Sequence, residues 1–565
     1  MEWGDEMSKP QNGREIISLD TGCRFTVGGS MAVTRDGRVL MVTTGPETFG
    51  QKENFGIGRA EMWESRDCGR SWDGPRLMHR GSPKGLMLPG SLLRLASGKL
   101  LLVLTFYGGY DFVTHDPEKS LLEFYTQFSD DDGRTWTPAA RIPETWRYAN
   151  VPLGILQLRS GRVLIPSGYL TPRNGRSVVS ALYSDDEGRT WRRSPSVLDT
   201  GGEGFESGPC EPTAVELPDG RLWMLMRTQT GVQWEAFSED GGVTWGAPRP
   251  SRFTSSSAPA HFLRLRDGRI VVLWCNCVAS PYARHSFSIA ASDDGGQSFY
   301  GFREVARVGP PVPSLELRWG AAYPFPCEAP DGTLLVAFNN GDWKHMHVKV
   351  ARLDPDWVRQ ESLVEDFRDG LGEWCGLGAA GESLPSAEGD AGGVELHMDW
   401  VAPGPSGMTR NFPLLSDGVI TCDLTVHKAP AYLLWHNSFL SPGVFEDSCL
   451  RVRVDASGAV HVGSGTPTRR AIAQAKWSPE YAYTAYPVTD EIECAQKIQL
   501  SRRFTLTARV KTGARTAWVS IDGRPEVARP LSDVLGFCYF GIAVGDGGAV
   551  RLHRLQTRPC HAREM

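Results

Sequence analysis

The 565-residue sequence predicts an all-β molecule: a six-bladed β-propeller followed by a jelly-roll-like β-sandwich. Three observations predict it. One turn-plus-strand unit recurs six times along the first 360 or so residues, an eight-residue signal follows five of those units, and plain alternating strands take over from about Leu363. Single hydrophobic cores stop growing at roughly 250–300 residues, so a chain of this length is expected to divide. The change of texture places the division between residues 1–362 and 363–565.

The first signal is a small or acidic residue plus glycine, followed at once by an apolar strand. It occurs at Asp36-Gly37, Ser97-Gly98, Ser160-Gly161, Asp219-Gly220, Asp267-Gly268 and Asp331-Gly332. Each glycine supplies the positive φ of a tight hairpin, and runs such as RVLMV, KLLLV and RIVVL have the β-rich character of buried strands. The second signal reads Ser-x-Asp-x-Gly-x-Ser/Thr-Trp/Phe and spans residues 65–72, 129–136, 184–191, 238–245 and 292–299. Its last four copies start 55, 54 and 54 residues apart, which is the chain that a four-stranded blade with its turns consumes. Within each copy the Asp is suited to accept bonds from the turn's own N–H groups, while the aromatic ring plugs between strands. These units are therefore read as structural, not catalytic.

The second signal resembles the Asp-box, or BNR, repeat of the sialidase (neuraminidase) superfamily, over a stretch from about residue 20 to 357. After the sixth hairpin, HVKVARLDPDW at 347–357 stands where a sixth box would fall, and an early strand at residues 14–19 is expected to close the ring. Beyond Leu363, period-2 runs such as VITCDLTV (419–426), CLRVRVD (449–455), FTLTARVKT (504–512) and TAWVSIDGR (516–524) fit a sandwich. This region resembles the laminin-G or concanavalin-like modules attached to many carbohydrate enzymes. Its roles are read as carbohydrate binding or as a wall packed on the propeller.

Residues that meet at a propeller's axis come from corresponding points of different blades. In the fourth unit Glu211-Pro212 precedes the hairpin and Arg227 follows it, similar to the sialidase segment in which a glutamate and an arginine both face the axis. Arg284 in the fifth unit and Tyr323 in the sixth stand where the resemblance implies a second substrate arginine and a nucleophilic tyrosine. The combination makes chemical sense. A sialic acid carries a carboxylate on its anomeric carbon, which planar guanidinium forks bind bidentately. That carboxylate repels an anionic nucleophile but not a neutral tyrosine hydroxyl with a glutamate base beside it. The expected roles are thus Tyr323 as nucleophile, Glu211 as base, and Arg227 with Arg284 as the clamp.

The first blade departs from the family pattern. Val27 falls where the third arginine would stand, with Arg24 close by, and the loop before the first box (55–60) has no carboxylate. Glu53 is taken as the candidate acid, with Glu47 in the same long loop. Glu61, which flanks the same loop within the strand RAEMWES, is read either as a further candidate acid or as a solvated face residue. Arg318 and His261 join the candidate substrate contacts, and His115, Asp116 and Arg173 stand at comparable blade positions. Tyr107, Tyr110, Trp234, Trp274, Trp319 and Trp343 are candidate stacking surfaces or blade packing.

Composition excludes other classes. A formal net charge of -6 over this length offers no basic field for nucleic acid or for a membrane surface. No P-loop or dinucleotide fingerprint appears, so no phosphate cofactor is implied. His345-Met346-His347 puts two rings on one strand face but lacks a third metal ligand. Residues 1–13 contain no apolar run of signal-peptide type, so a cytoplasmic protein, or a trimmed secreted one, is expected. The twelve cysteines form no CxxC pair and are read as free thiols. A glycan or glycoconjugate is the expected partner. Three readings follow: a sialidase-type hydrolase, a hydrolase or lyase acting on a uronic or neutral sugar, and a non-catalytic carbohydrate-binding protein.

Overall fold

The computed structural model describes residues 13–19, 29–46, 57–81, 85–109, 116–119, 121–146, 152–171, 175–203, 207–277, 284–307, 320–341, 346–360, 362–368, 371, 373–378, 394–397, 406–412, 417–438, 447–471, 482–545 and 547–560. The molecule is an all-β structure; the described residues form six four-stranded antiparallel sheets, followed by two seven-stranded sheets and one two-stranded ladder, Thr468–Ala471 with Ala482–Ala485.

Five blades are built from consecutive strands, innermost first. The first is Ser30–Val33, Val39–Pro46, Ile57–Ser65 and Asp73–Arg80; the second is Leu86–Arg94, Leu100–Gly109, Leu121–Ser129 and Ala140–Arg141. The third is Leu156–Gln157, Val163–Leu170, Ser177–Ser184 and Arg192–Arg193; the fourth is Cys210–Glu216, Leu222–Arg227, Val232–Ser238 and Arg249–Thr254. The fifth is His261–Arg264, Ile270–Trp274, Ser286–Ser292 and Tyr300–Arg307. The sixth takes Ala322–Glu328, Leu334–Gly341 and Met346–Leu353, and borrows its outermost strand, Arg14–Leu19, from the start of the chain. That strand pairs in full, from Arg14 opposite Leu353 to Leu19 opposite Val348, as the sequence led us to expect.

The boxes explain why the sheets follow one another as blades. In each, the serine hydroxyl donates to the aspartate two residues on and accepts from the glycine N–H four residues on. The aspartate in turn accepts from the N–H of the Ser or Thr. A side chain on that glycine would be strained by its positive φ and crowded besides, because a Cβ there would lie 2.5–3.1 Å from a residue on the second strand of the neighbouring blade. The pairings run Gly133 to Leu40, Gly188 to Leu101, Gly242 to Leu164 and Gly296 to Trp223. Gly69 of the first box meets Leu335 of the sixth blade. Arg352, fully buried on the sixth blade, also donates from Nε to the Cys68 carbonyl at 3.0 Å. The sixth blade has no box; the short helix Pro355–Val358 stands there, capped by Asp354. Val358 packs on Gly301 of the fifth blade.

The two larger sheets stack through alternating residues. On one, Leu424, Leu506, Ala508 and Val510 are buried; on the other, Leu433, Trp435, Val452 and Phe540. Leu535, Cys538 and Tyr539 of this sandwich share a core with Phe253, Trp274 and Phe302 of the fourth and fifth blades. Among the described residues eleven cysteines are free thiols.

One expectation needs correction. Glu61 is not a solvated face residue but 2% exposed, its carboxylate against Arg59 Nε at 2.5 Å. Strand period explains this: Glu61 shares a face with Trp63, whose ring is in the core, so both are carried inward together.

Candidate active site

Glu211 and Tyr323 occupy the same place in different blades, near the start of the innermost strand and immediately before a proline. Proline has no N–H for the ladder, and both strands bulge there. Pairing jumps from Cys210 opposite Arg227 to Thr213 opposite Leu225, and from Ala322 opposite Asn339 to Phe325 opposite Ala337. The bulge leaves Glu211 at φ 42° and Tyr323 at φ 56°, a left-handed conformation that costs such side chains about 1–3 kcal/mol each. The surrounding ladders hold both residues in it.

Arg227 ends the second strand of the fourth blade, opposite Cys210, and so lies beside Glu211. Its Nη1 donates to Glu211 Oε2 at 2.5 Å and to the Tyr323 hydroxyl at 3.4 Å. Tyr323 donates to the other glutamate oxygen, Oε1, at 3.0 Å. Arg284, just ahead of the third strand of the fifth blade, places its guanidinium carbon 5.1 Å from the centre of the Tyr323 ring. Gly320 makes that approach possible, since a Cβ there would sit on the Arg284 carbonyl. The four residues singled out from three separate blades thus form one cluster, with Arg227, Arg284 and Tyr323 all buried.

Burial raises the Tyr323 phenol well above the usual tyrosine range, and the charge of Glu211 adds to the effect against the two arginines. The phenol is therefore neutral at rest. Cys275, whose thiol donates to the Ala321 carbonyl, is pushed up to about 12 by burial and is no competing nucleophile. His261 begins the innermost strand of the fifth blade, with its ring 5.5 Å from that of Phe325. Burial pushes its imidazole down to about 4, so it is a neutral neighbour of the Tyr323 strand.

Ser257 was not among the residues expected from sequence. Its hydroxyl accepts from Arg227 Nε at 3.0 Å and its carbonyl accepts from Arg284 Nη2 at 2.9 Å, so one buried residue tethers both guanidinium groups. The run Ser255-Ser256-Ser257-Ala258 is the only signal, small residues that let two arginines crowd against a connecting segment.

Glu53, Arg24 and Arg318 lie outside the described residues, as do Val27, Glu47, Tyr110, His115, Arg173, Trp319, Trp343 and His345. Asp116 pairs with Lys119 at 3.7 Å. Trp274 is buried, donating to the Thr254 carbonyl, and Trp234 donates to Thr230. Both serve packing.

Comparison with known proteins agrees with the repeat. A BNR repeat-like domain model matches residues 92–336, from the second blade into the sixth. A sialidase of Micromonospora viridifaciens is 26% identical over 350 residues, covering 56% of this chain and 48% of that protein. An anhydrosialidase of Macrobdella decora is 30% identical over 141 residues, covering 23% and 17%. The chain thus spans less than half the length of these relatives. Among solved structures, the Trypanosoma rangeli sialidase in complex with sialic acid aligns with a TM-score of 0.47 at 14% identity, covering 99% of this chain and 96% of that one. By its repeats and by these matches, the chain carries a BNR repeat-like domain and is a relative of the sialidases.

Proposed function

We propose that this protein is a retaining, exo-acting glycosidase of sialidase type that releases a terminal sialic acid from glycans. The observation that carries the reading is the Tyr323–Glu211–Arg227 contact set, a phenol within 3.0 Å of one oxygen of a carboxylate whose other oxygen is held by an arginine. The names of the relatives support the choice of sugar.

In this reading Arg227 and Arg284 bind the sugar carboxylate and set the anomeric carbon over Tyr323. The phenol oxygen forms a bond to that carbon as the glycosidic C–O bond breaks, and the phenol proton passes to Glu211. The leaving oxygen takes up a proton from an acid, a role we give to Glu53 from its sequence position. Water then attacks the anomeric carbon from the vacated side, giving up a proton to the Glu53 carboxylate left by the first step as the bond to the tyrosine oxygen breaks; Glu211 returns its proton to that oxygen, and the configuration is retained over two inversions. The arginines accomplish a second task, since their charge stabilises a tyrosinate as the proton leaves.

A fluorogenic α-sialoside tests the reading. The wild-type chain should release the fluorophore, and Glu211→Gln should lower kcat by about 10²–10⁴-fold, the usual weight of a general base. Tyr323→Phe should abolish the covalent intermediate seen by mass spectrometry with a fluorinated substrate analogue. Release that survives both substitutions, or cleavage of uronides alone, would refute the assignment.

A further inference from the structure

The segments that present the two arginines are held from behind by the sandwich and by the two-stranded ladder of Thr468–Ala471 and Ala482–Ala485 that belongs to the same C-terminal part of the chain. Beyond Arg227 the chain runs through residues 228–231. There the Gln229 carbonyl accepts from the Ala482 N–H at 2.8 Å, and the Gly231 carbonyl accepts from Thr484 Oγ1 at 3.3 Å. The two backbones touch, since a Cβ on Gly231 would lie 2.8 Å from Tyr483 Cα. Three residues before Ser257, Thr254 Oγ1 accepts from Asn437 Nδ2 at 3.0 Å. Two residues after Arg284, Ser286 Oγ lies 3.2 Å from the Tyr539 hydroxyl, which donates to Glu304 Oε2 at 2.8 Å. Next to Cys275, Asn276 Nδ2 donates to the Asn437 carbonyl at 3.0 Å.

These contacts are buried: Ser286, Tyr539, Glu304, Asn276, Asn437 and Thr254 are each under 9% exposed. A buried hydroxyl or amide is costly to leave unpaired, so such contacts fix one relative placement of the two parts. A sandwich acting only as a tethered binding module has no need to place contacts at Gln229, Thr254 and Ser286, two or three residues from Arg227, Ser257 and Arg284.

We propose that the sandwich is part of the catalytic unit and that Tyr539 is a positioning residue for Arg284, acting through Ser286. Residues 482–484 hold the Arg227 side in the same way. The proposal rests on the reading of the two arginines as a carboxylate clamp.

Tyr539→Phe in the full chain tests it, because the ring that fills the core remains and only the hydroxyl is lost. Hydrogen–deuterium exchange of the backbone at residues 284–291 should quicken about fivefold, the worth of one hydrogen bond, with residues 163–170 of the third blade unchanged. KM for the sialoside should rise by a similar factor while kcat stays within about twofold, since binding of the carboxylate is what loosens. Ser286→Ala should reproduce both effects and add nothing to Tyr539→Phe. Thr484→Val should raise KM where Thr484→Ser does not. Unchanged exchange at 284–291, or equal quickening in the third blade, would overturn the proposal. If the wild-type chain cleaves no sialoside, the proposed function fails, and the exchange experiment still decides the anchoring.

Discussion

Ser257 shows how much of the site hangs on a residue without acid–base chemistry of its own. Its side chain tethers Arg227 and its backbone tethers Arg284, so Ser257→Ala removes the first tether and leaves the second. We expect KM for an acidic sugar to rise about 3–10-fold, the net worth of one hydrogen bond, with kcat little changed in steady-state assays. Arg284→Lys is a harsher change, because a point charge replaces a planar fork. It should lower kcat/KM by about 10–100-fold on a sialoside and leave affinity for the same sugar amidated at its carboxylate unaffected. Much of this cluster was legible in the sequence. Glu211 and Tyr323 each precede a proline at corresponding blade positions, and Arg227 falls at the strand end opposite. Ser257 was not legible, because a serine that binds with its carbonyl leaves no mark in residue type. Nor was the burial of Glu61, where an acidic residue shares the inward face of Trp63.

The boxes carry the largest share of the fold's definition, and their chemistry is local. All five aspartates are held below the usual carboxylate range; at Asp186, burial pulls the other way but the bonds from Thr190, Ser184 and the turn N–H groups outweigh it and bring it to about 2. A carboxylate with a lowered folded pKa contributes stability that is present above its unfolded value near 4 and is lost as pH falls through the folded value. The propeller should therefore lose stability between pH 4 and 2. Asp186→Ala should cost about 1–3 kcal/mol at pH 7, read as a lower urea midpoint, and should flatten that acid limb. This locality is also why the blades were readable. A box and its hairpin lie within one unit and repeat, so each copy reinforces the next, and the strand at Arg14–Leu19 follows from the lone blade left incomplete. The extent of the sandwich was readable only as alternation, because its strands pair across long and irregular spans. The strand at Asp417–Lys428, for example, lies between those at Arg503–Lys511 and Ala549–Pro559.

At the scale of the whole molecule the propeller and sandwich are joined through polar residues far apart in the chain, such as Tyr539 and Glu304 or Asn437 and Asn276. No spacing in the sequence announces a contact across more than 150 residues. Imidazoles withdrawn from water accompany this architecture: the half-buried His261 is pushed down to about 4 and the buried His436 to about 3 by loss of solvation, and His285, next to Arg284, is lowered for the same reason. An unfolded histidine titrates near 6.5, so between that value and the folded one the unfolded chain binds more protons. The native state is then fully favoured above pH 6.5 and loses ground as pH falls toward 4, a window that lies above the carboxylate limb of the boxes. Urea midpoints at pH 7.5, 5.5 and 4.5 should fall in that order. The loss should correspond to an uptake of up to about three protons on unfolding, one for each of these three rings. Replacing His261 and His436 together by Gln should flatten the profile between pH 6.5 and 4.5 while leaving the steeper fall below pH 4 to the aspartates. A midpoint that rises as pH drops from 7.5 to 5.5 would mean that these rings bind protons in the folded state, and that burial does not govern them.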